Sequence, residues 1–146
     1  MNNEKIEILL IEDNADEAEL TIHSLRKNNL ANHLVHIDDG EEALDFIFSK
    51  GKYIENNNVS LPKLILLDLK LPKVEGLEIL RQLKADPKTK LIPVVVLTSS
   101  REEGDIIESY KLGVNSYIVK PVNFESFSKV IAELGMYWLI FNQNPI

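Results

Sequence analysis

Short apolar runs separated by polar, helix-patterned segments organise this chain. The plainest is LILL at 64–67, an unbroken run too short for a typical helix, with Pro72 five positions after it. Such a run predicts a strand covered on both faces, as in the middle of a parallel sheet. IEILLI at 6–11 predicts a first strand, and IPVVVL at 92–97 a fourth, buried one. The stretch 33–37 is more polar and suits an edge position. Residues 116–119 form a short fifth strand before Lys120-Pro121.

Between these runs the period lengthens to that of a helix. Asn14 is placed to cap a first helix, with Glu17 at the capping-box position and Ala18, Ile22 and Leu25 as its apolar stripe. Asn28-Asn29 ends it. Asp39-Gly40 turns the chain into a second helix over 41–49, carrying Ala43, Leu44 and Ile47. A third covers 75–85, with Leu77, Leu80 and Leu83 inward, and stops at Asp86-Pro87. A fourth spans 102–111 before Gly113, a C-terminal glycine. Asn123 caps a last helix reaching about Phe141. The stretch 50–63, with three consecutive asparagines, reads as a surface loop. Five strands alternating with five helices predict an α/β, doubly wound parallel sheet. With the second strand at an edge, the order is 2-1-3-4-5, the flavodoxin-like arrangement.

Composition narrows the chemistry. The chain has 146 residues, enough for one domain spanning 1–146 with a sizeable core, and its apolar fraction of 45% is ordinary. It has no cysteine, which excludes thiol catalysis, disulfides and cysteine-bound zinc. The start leads straight into a strand-like run, with no secretory leader expected. The longest apolar run near the end, 135–141, is far short of a bilayer span. A net charge of −7 argues against nucleic acid as a direct partner. The expectation is a soluble, cytoplasmic protein without membrane attachment.

The candidate chemistry lies where the strands stop. The first, third, fourth and fifth end in Glu12-Asp13, Asp68, Thr98 and Lys120. A parallel sheet brings all its carboxyl ends to one edge, where open α/β sheets place their ligands. Two carboxylates about 4 Å apart repel by roughly 4 kcal/mol at an effective dielectric near 20. Three require shifted pKa values or a cation. Lys120 offsets part of the charge, and Mg²⁺, a hard ion that takes oxygen ligands, suits the remainder.

The segments LLIEDN (9–14), LILLDLKLPKVEG (64–76), IPVVVLTSS (92–100) and YIVKP (117–121) together resemble the receiver domain of bacterial response regulators, over essentially the whole chain. The resemblance implies that Asp68 accepts a phosphoryl group from a histidine of a partner kinase. It implies that Asp13, Asp68 and the main-chain carbonyl of Lys70 hold Mg²⁺ or Mn²⁺, with Glu12 acting through water or toward Lys120. The family often has Asp-Asp where this chain has Glu12-Asp13. Lys120 would pair with a phosphoryl oxygen and Thr98 would offer its hydroxyl to another, in a transfer carried by positioning and charge. A cis Lys120-Pro121 bond is implied as well. Tyr117 sits at the family's aromatic switch position: Thr98 is drawn toward the phosphoryl group, and Tyr117 moves into the vacated space. Lys70 and Ser100 occupy positions that tune the lifetime of the acyl phosphate.

The last helix carries Phe124, Phe127, Ile131, Leu134, Trp138 and Phe141 at helical steps, the first four expected to cover the sheet. Met136, Tyr137, Leu139 and Ile140 make its final turns apolar nearly all round. This predicts a homodimer through the fourth helix, fifth strand and fifth helix, with Tyr137, Trp138 and Phe141 in the contact. The long loop and the Tyr-Trp-Leu near the end resemble single-domain regulators of phytochrome-type histidine kinases, with no output domain expected after the last helix.

Three other readings compete. A phosphatase of haloacid-dehalogenase type shares the strand-end aspartate and Mg²⁺, but expects a second aspartate where Lys70 stands. A flavodoxin expects a phosphate-cradling loop where Glu12-Asp13-Asn14 stands. A protein-binding module that has lost phosphorylation has no need of Asp13, Asp68, Thr98 and Lys120 together.

Overall fold

In the computed structural model, which describes residues 6–30, 32–54 and 61–145, five strands run parallel. They are β1 (Ile8–Ile11), β2 (Leu34–Ile37), β3 (Leu64–Leu67), β4 (Val94–Thr98) and β5 (Ser116–Val119), ordered β2-β1-β3-β4-β5. Five helices connect and flank them: α1 (Ala15–Lys27), α2 (Gly40–Ile47), α3 (Gly76–Ala85), α4 (Glu103–Leu112) and α5 (Phe124–Met136). Every residue of β1, β3 and β4 is buried, whereas β2 and β5 form the half-covered edges.

Strand alternation sorts the apolar side chains into two cores. Leu9, Ile11, Ile65, Leu67, Val94 and Val96 meet α2 and α3 through Ala43, Ile47, Ile79, Leu80 and Leu83. Ile8, Leu10, Leu64, Leu66, Val95 and Leu97 meet α1 and α5 through Ala18, Leu25, Phe127, Ile131 and Leu134. Register then aligns the carboxyl ends of the strands. Ile11 lies beside Ile37 and Leu67, Leu67 beside Val96, and Thr98 beside Val119. The residues just past these positions therefore emerge together.

The caps act locally. Asn14 Oδ1 accepts from the Glu17 amide at 2.9 Å, Asp39 Oδ1 from Glu42 at 2.7 Å and Asn123 Oδ1 from Ser126 at 3.0 Å. Gly113 ends α4 at φ +103°, a conformation that other residues rarely adopt.

Several expectations change in detail. Ile79 is fully buried on α3, while Leu77 is half-buried. Phe124 is 64% exposed and belongs to neither core, lying instead beside Asp16, Leu20 and His23 on the outer surface of α1. The expected helix to Phe141 changes pitch: α5 ends at Met136 and a π-helical turn follows over Tyr137–Phe141. Within the expected loop, Gly51–Tyr53 form a 3₁₀ turn, and Tyr53 donates its hydroxyl to Glu42 Oε2 at 2.6 Å. Residues 55–60 of that loop lie outside the described residues.

Candidate functional site

The carboxyl edge of the sheet gathers an acidic pocket around one amine. Asp68 follows β3 and is 8% exposed; its amide donates to Ile11 O at 3.0 Å, tying it to the end of β1. Glu12 follows β1 and is 2% exposed. Lys120 follows β5 and is buried, with its amide bonded to Thr98 O at 2.8 Å. Its Nζ donates to Glu12 Oε1 at 2.7 Å, Asp68 Oδ2 at 3.0 Å and Glu17 Oε2 at 3.3 Å. Carboxylate oxygens of Glu12, Asp13 and Asp68 all come within 4.8 Å of one another, with Asp13 on the solvent side.

The second oxygens are also partly engaged. Glu12 Oε2 accepts from the Asn14 amide at 3.1 Å, and Asp68 Oδ1 from the Lys70 amide at 3.3 Å. Glu12 is thus turned toward Lys120, one of its two expected orientations. Burial pushes the Glu12 carboxyl up to about 7, against the opposing pull of its bond to Lys120. Burial acts to lower the Lys120 pKa, but the bond to Glu12 and the charge of Asp68 outweigh it and hold the amine above its ordinary value. Three oxygen donors, one open to solvent, suit a hard divalent cation better than a soft one.

Matched against known families, the chain fits the response regulator receiver domain over residues 8–132. This chain is a response regulator receiver. Rcp1 of Synechocystis is 40% identical over 132 residues, covering 90% of this chain and 88% of that protein. The probable methanogenesis regulatory protein FilR2 of Methanothrix harundinacea is 39% identical over 138 residues, 94% of this chain and 86% of its own. The phosphorylated cyanobacterial phytochrome response regulator RcpA superposes with a TM-score of 0.90 at 38% identity, over 98% of this chain and all of that one. The Mn²⁺-bound form of Rcp1 gives 0.89 at 38% identity, with the same coverage. The receiver thus resembles the phytochrome-associated members of its family.

Thr98, Ser100 and Tyr117, also singled out in the sequence, form a second cluster. Thr98 is fully buried, and its Oγ1 accepts from the Ser100 amide at 3.3 Å. Among the described residues, that hydroxyl bonds neither Asp68 nor Lys120. Tyr117 is half-buried and donates to Ser100 O at 3.1 Å. Burial raises its phenol pKa. The bond between Lys120 and Pro121 is trans, which corrects the expected cis form. The long lysine side chain reaches Glu12 and Asp68 from the ordinary isomer, which X-Pro bonds favour by about 0.5–1 kcal/mol.

Two contributors to the receiver site escaped the sequence reading. Glu17 reads locally as the reciprocal partner of its cap, yet its side chain turns to Lys120 while Glu12 takes the Asn14 amide. Gly76, the first residue of α3, packs on the Asp68 backbone: a Cβ there would lie 2.4 Å from Asp68 O and 2.6 Å from Leu69 Cα. Its signal was a glycine at the close of the segment that begins with the strand ending in Asp68.

Proposed function

We propose that Asp68 is a phosphoacceptor and that the protein relays a signal from a histidine kinase, a phytochrome-type one by its likeness to RcpA and Rcp1. The observation that carries this reading is the buried contact of Asp68 with Lys120 inside the three-carboxylate pocket. An Asp68 oxygen attacks the phosphorus of a phosphohistidine. The new O–P bond forms as the N–P bond breaks, and the imidazole leaves with its electron pair. Lys120 already sits at 3.0 Å from Asp68 and is placed to meet the charge on a transferred oxygen. Asp13, Asp68 and the Lys70 carbonyl are the residues we assign to hold Mg²⁺ or Mn²⁺. When bound, the ion offsets carboxylate and phosphoryl charge. Glu12, both of whose oxygens are engaged, positions Lys120.

Thr98 and Tyr117 form the switch in this reading, with Lys70 and Ser100 beside the path of hydrolytic water. The chain catalyses only its own phosphorylation and slow dephosphorylation, in the cytoplasm, as one receiver domain. Homodimerisation through α4, β5, α5 and the turn at Tyr137–Phe141 is supported by the exposure of Tyr137, Ile140 and Phe141 at 53%, 56% and 68%.

Incubation with acetyl phosphate and Mg²⁺, followed by intact-mass measurement, tests the reading. The expected result is the gain of one phosphoryl group, absent in Asp68→Asn and absent when the divalent ion is chelated. An unchanged mass for the native chain, or full labelling of Asp68→Asn, excludes Asp68 as acceptor.

A further inference from the structure

The segment that leaves β4 is held by one serine. Ser100 is 5% exposed and uses three of its own groups. Its amide donates to Thr98 Oγ1 at 3.3 Å, and its carbonyl accepts from Tyr117 at 3.1 Å. Its hydroxyl donates to Asp105 Oδ2 at 2.6 Å and accepts from the Glu102 amide at 3.3 Å. Both residues of the proposed switch therefore hang on Ser100, and the shortest of its bonds goes to a carboxylate on α4. A short bond to an ionised acceptor is the strong kind.

The helix that bears Asp105 is weakly held. Among the residues of α4 only Ser109 is buried, and its hydroxyl finds no hydrogen-bond partner among the described residues. Glu102, at the cap position, makes no side-chain capping bond. Gly104 lies in the first turn with open space around it, so it weakens the helix there without serving close packing. The start of α4 is tied back to Ser100 through the Asp105 side chain and the Glu102 amide.

From this geometry we infer that Asp105 is a positioning residue of the switch: its bond to Ser100 holds the segment after β4 in the arrangement that keeps the Thr98 hydroxyl engaged away from Asp68. The inference rests on Asp68 being the acceptor. Thr98 Oγ1 accepts from the Ser100 amide and keeps its own O–H to donate, so reaching a phosphoryl group requires the segment after β4 to move, and Ser100 follows only as its other bonds loosen. Removing the Asp105 bond lowers the cost of that rearrangement and shifts the population toward the phosphoryl-bound form.

The test uses beryllofluoride, a phosphoryl mimic, with Mg²⁺, bound to the native chain and to Asp105→Ala, Ser100→Ala and the double variant, followed by fluorine NMR. Asp105→Ala is expected to bind about tenfold more tightly, since a hydrogen bond to a charged group is worth about one to two factors of ten. Ser100→Ala should show a similar gain, and the double variant no more than either single one. The Tyr117 ring resonances of the mimic-free variants should move part-way toward those of the bound native chain. Thermal unfolding separates a plain capping role, which lowers the midpoint and leaves affinity unchanged. Unchanged or weaker binding in the single variants, or additive gains in the double, overturns the inference. If Asp105→Ala does not fold, Asp105→Asn and Ser100→Ala decide it on the same readout. No binding by the native chain overturns the phosphoacceptor reading itself, whatever the variants do.

Discussion

Lys120 faces three carboxylates at once, and the site's charge balance turns on it. Removing one partner of a buried pair leaves the others uncompensated, at a cost of about 3–5 kcal/mol. Lys120→Met should therefore lower stability by about 3 kcal/mol in chelator, and millimolar Mg²⁺ should restore part of the loss, read from urea midpoints. Glu17 is different. It is 37% exposed and bonds Lys120 at 3.3 Å, so Glu17→Gln should change stability by under about 1 kcal/mol. The same substitution removes a competitor for the amine, and labelling by acetyl phosphate should rise a few-fold; a slower rate would show that Glu17 helps instead. Asp13, Asp68, Thr98 and Lys120 were legible in the sequence because each ends a strand and a parallel sheet aligns strand ends. Glu17 was not, since the direction of its side chain depends on where the end of β5 arrives.

Among the elements, α3 is placed by contact and α4 by a tether. The missing side chain of Gly76 lets α3 start directly on the backbone of Asp68. The atoms a methyl group would meet are main-chain, which cannot swing aside as a flexible side chain does. Gly76→Ala should cost about 2 kcal/mol or more and slow labelling of Asp68, checked by denaturant titration and intact mass. Gly104 is the opposite case, because nothing lies within 4 Å of its added Cβ. Gly104→Ala should raise stability by about 0.5–1 kcal/mol, as measured by urea unfolding. A sequence reading treats the two glycines alike, as helix-weakening residues. Only the distance to the neighbouring chain separates them.

For the whole molecule, both sheet faces are covered among the described residues, and the edge strands β2 and β5 only in part. Trp138 and Leu139 pack against the core shared with α1 and α5, whereas Met136, Tyr137, Ile140 and Phe141 stand outward. Ala132, Glu133, Met136, Tyr137 and Phe141 line a groove of about 370 Å³. If this face carries the proposed homodimer, Tyr137→Ser with Phe141→Ser should convert dimer to monomer in light scattering at tens of micromolar. A native chain that is monomeric there removes the dimer. No helix among the described residues is long and apolar enough to cross a membrane.

The fold class, the strand order and the four strand-end residues follow from local information alone. Apolar runs of strand length with helical segments between them have few ways to bury themselves, and the more polar second strand belongs at an edge. The identity of the receiver family was likewise written in four short segments. Other properties required the chain to be folded, because each is a distance between parts remote in sequence. Lys120 meets Asp68, 52 positions earlier in the chain, because β3 and β5 end on the same edge of the sheet. Glu12 is pushed up to about 7 because the sheet and its helices close over it. The three bonds that Ser100 makes to Thr98, Asp105 and Tyr117 join a strand end, a helix turn and the neighbouring strand. Hydrophobic pattern is a property of neighbours along the chain, whereas desolvation and hydrogen-bond partnership are set by whatever packing brings near.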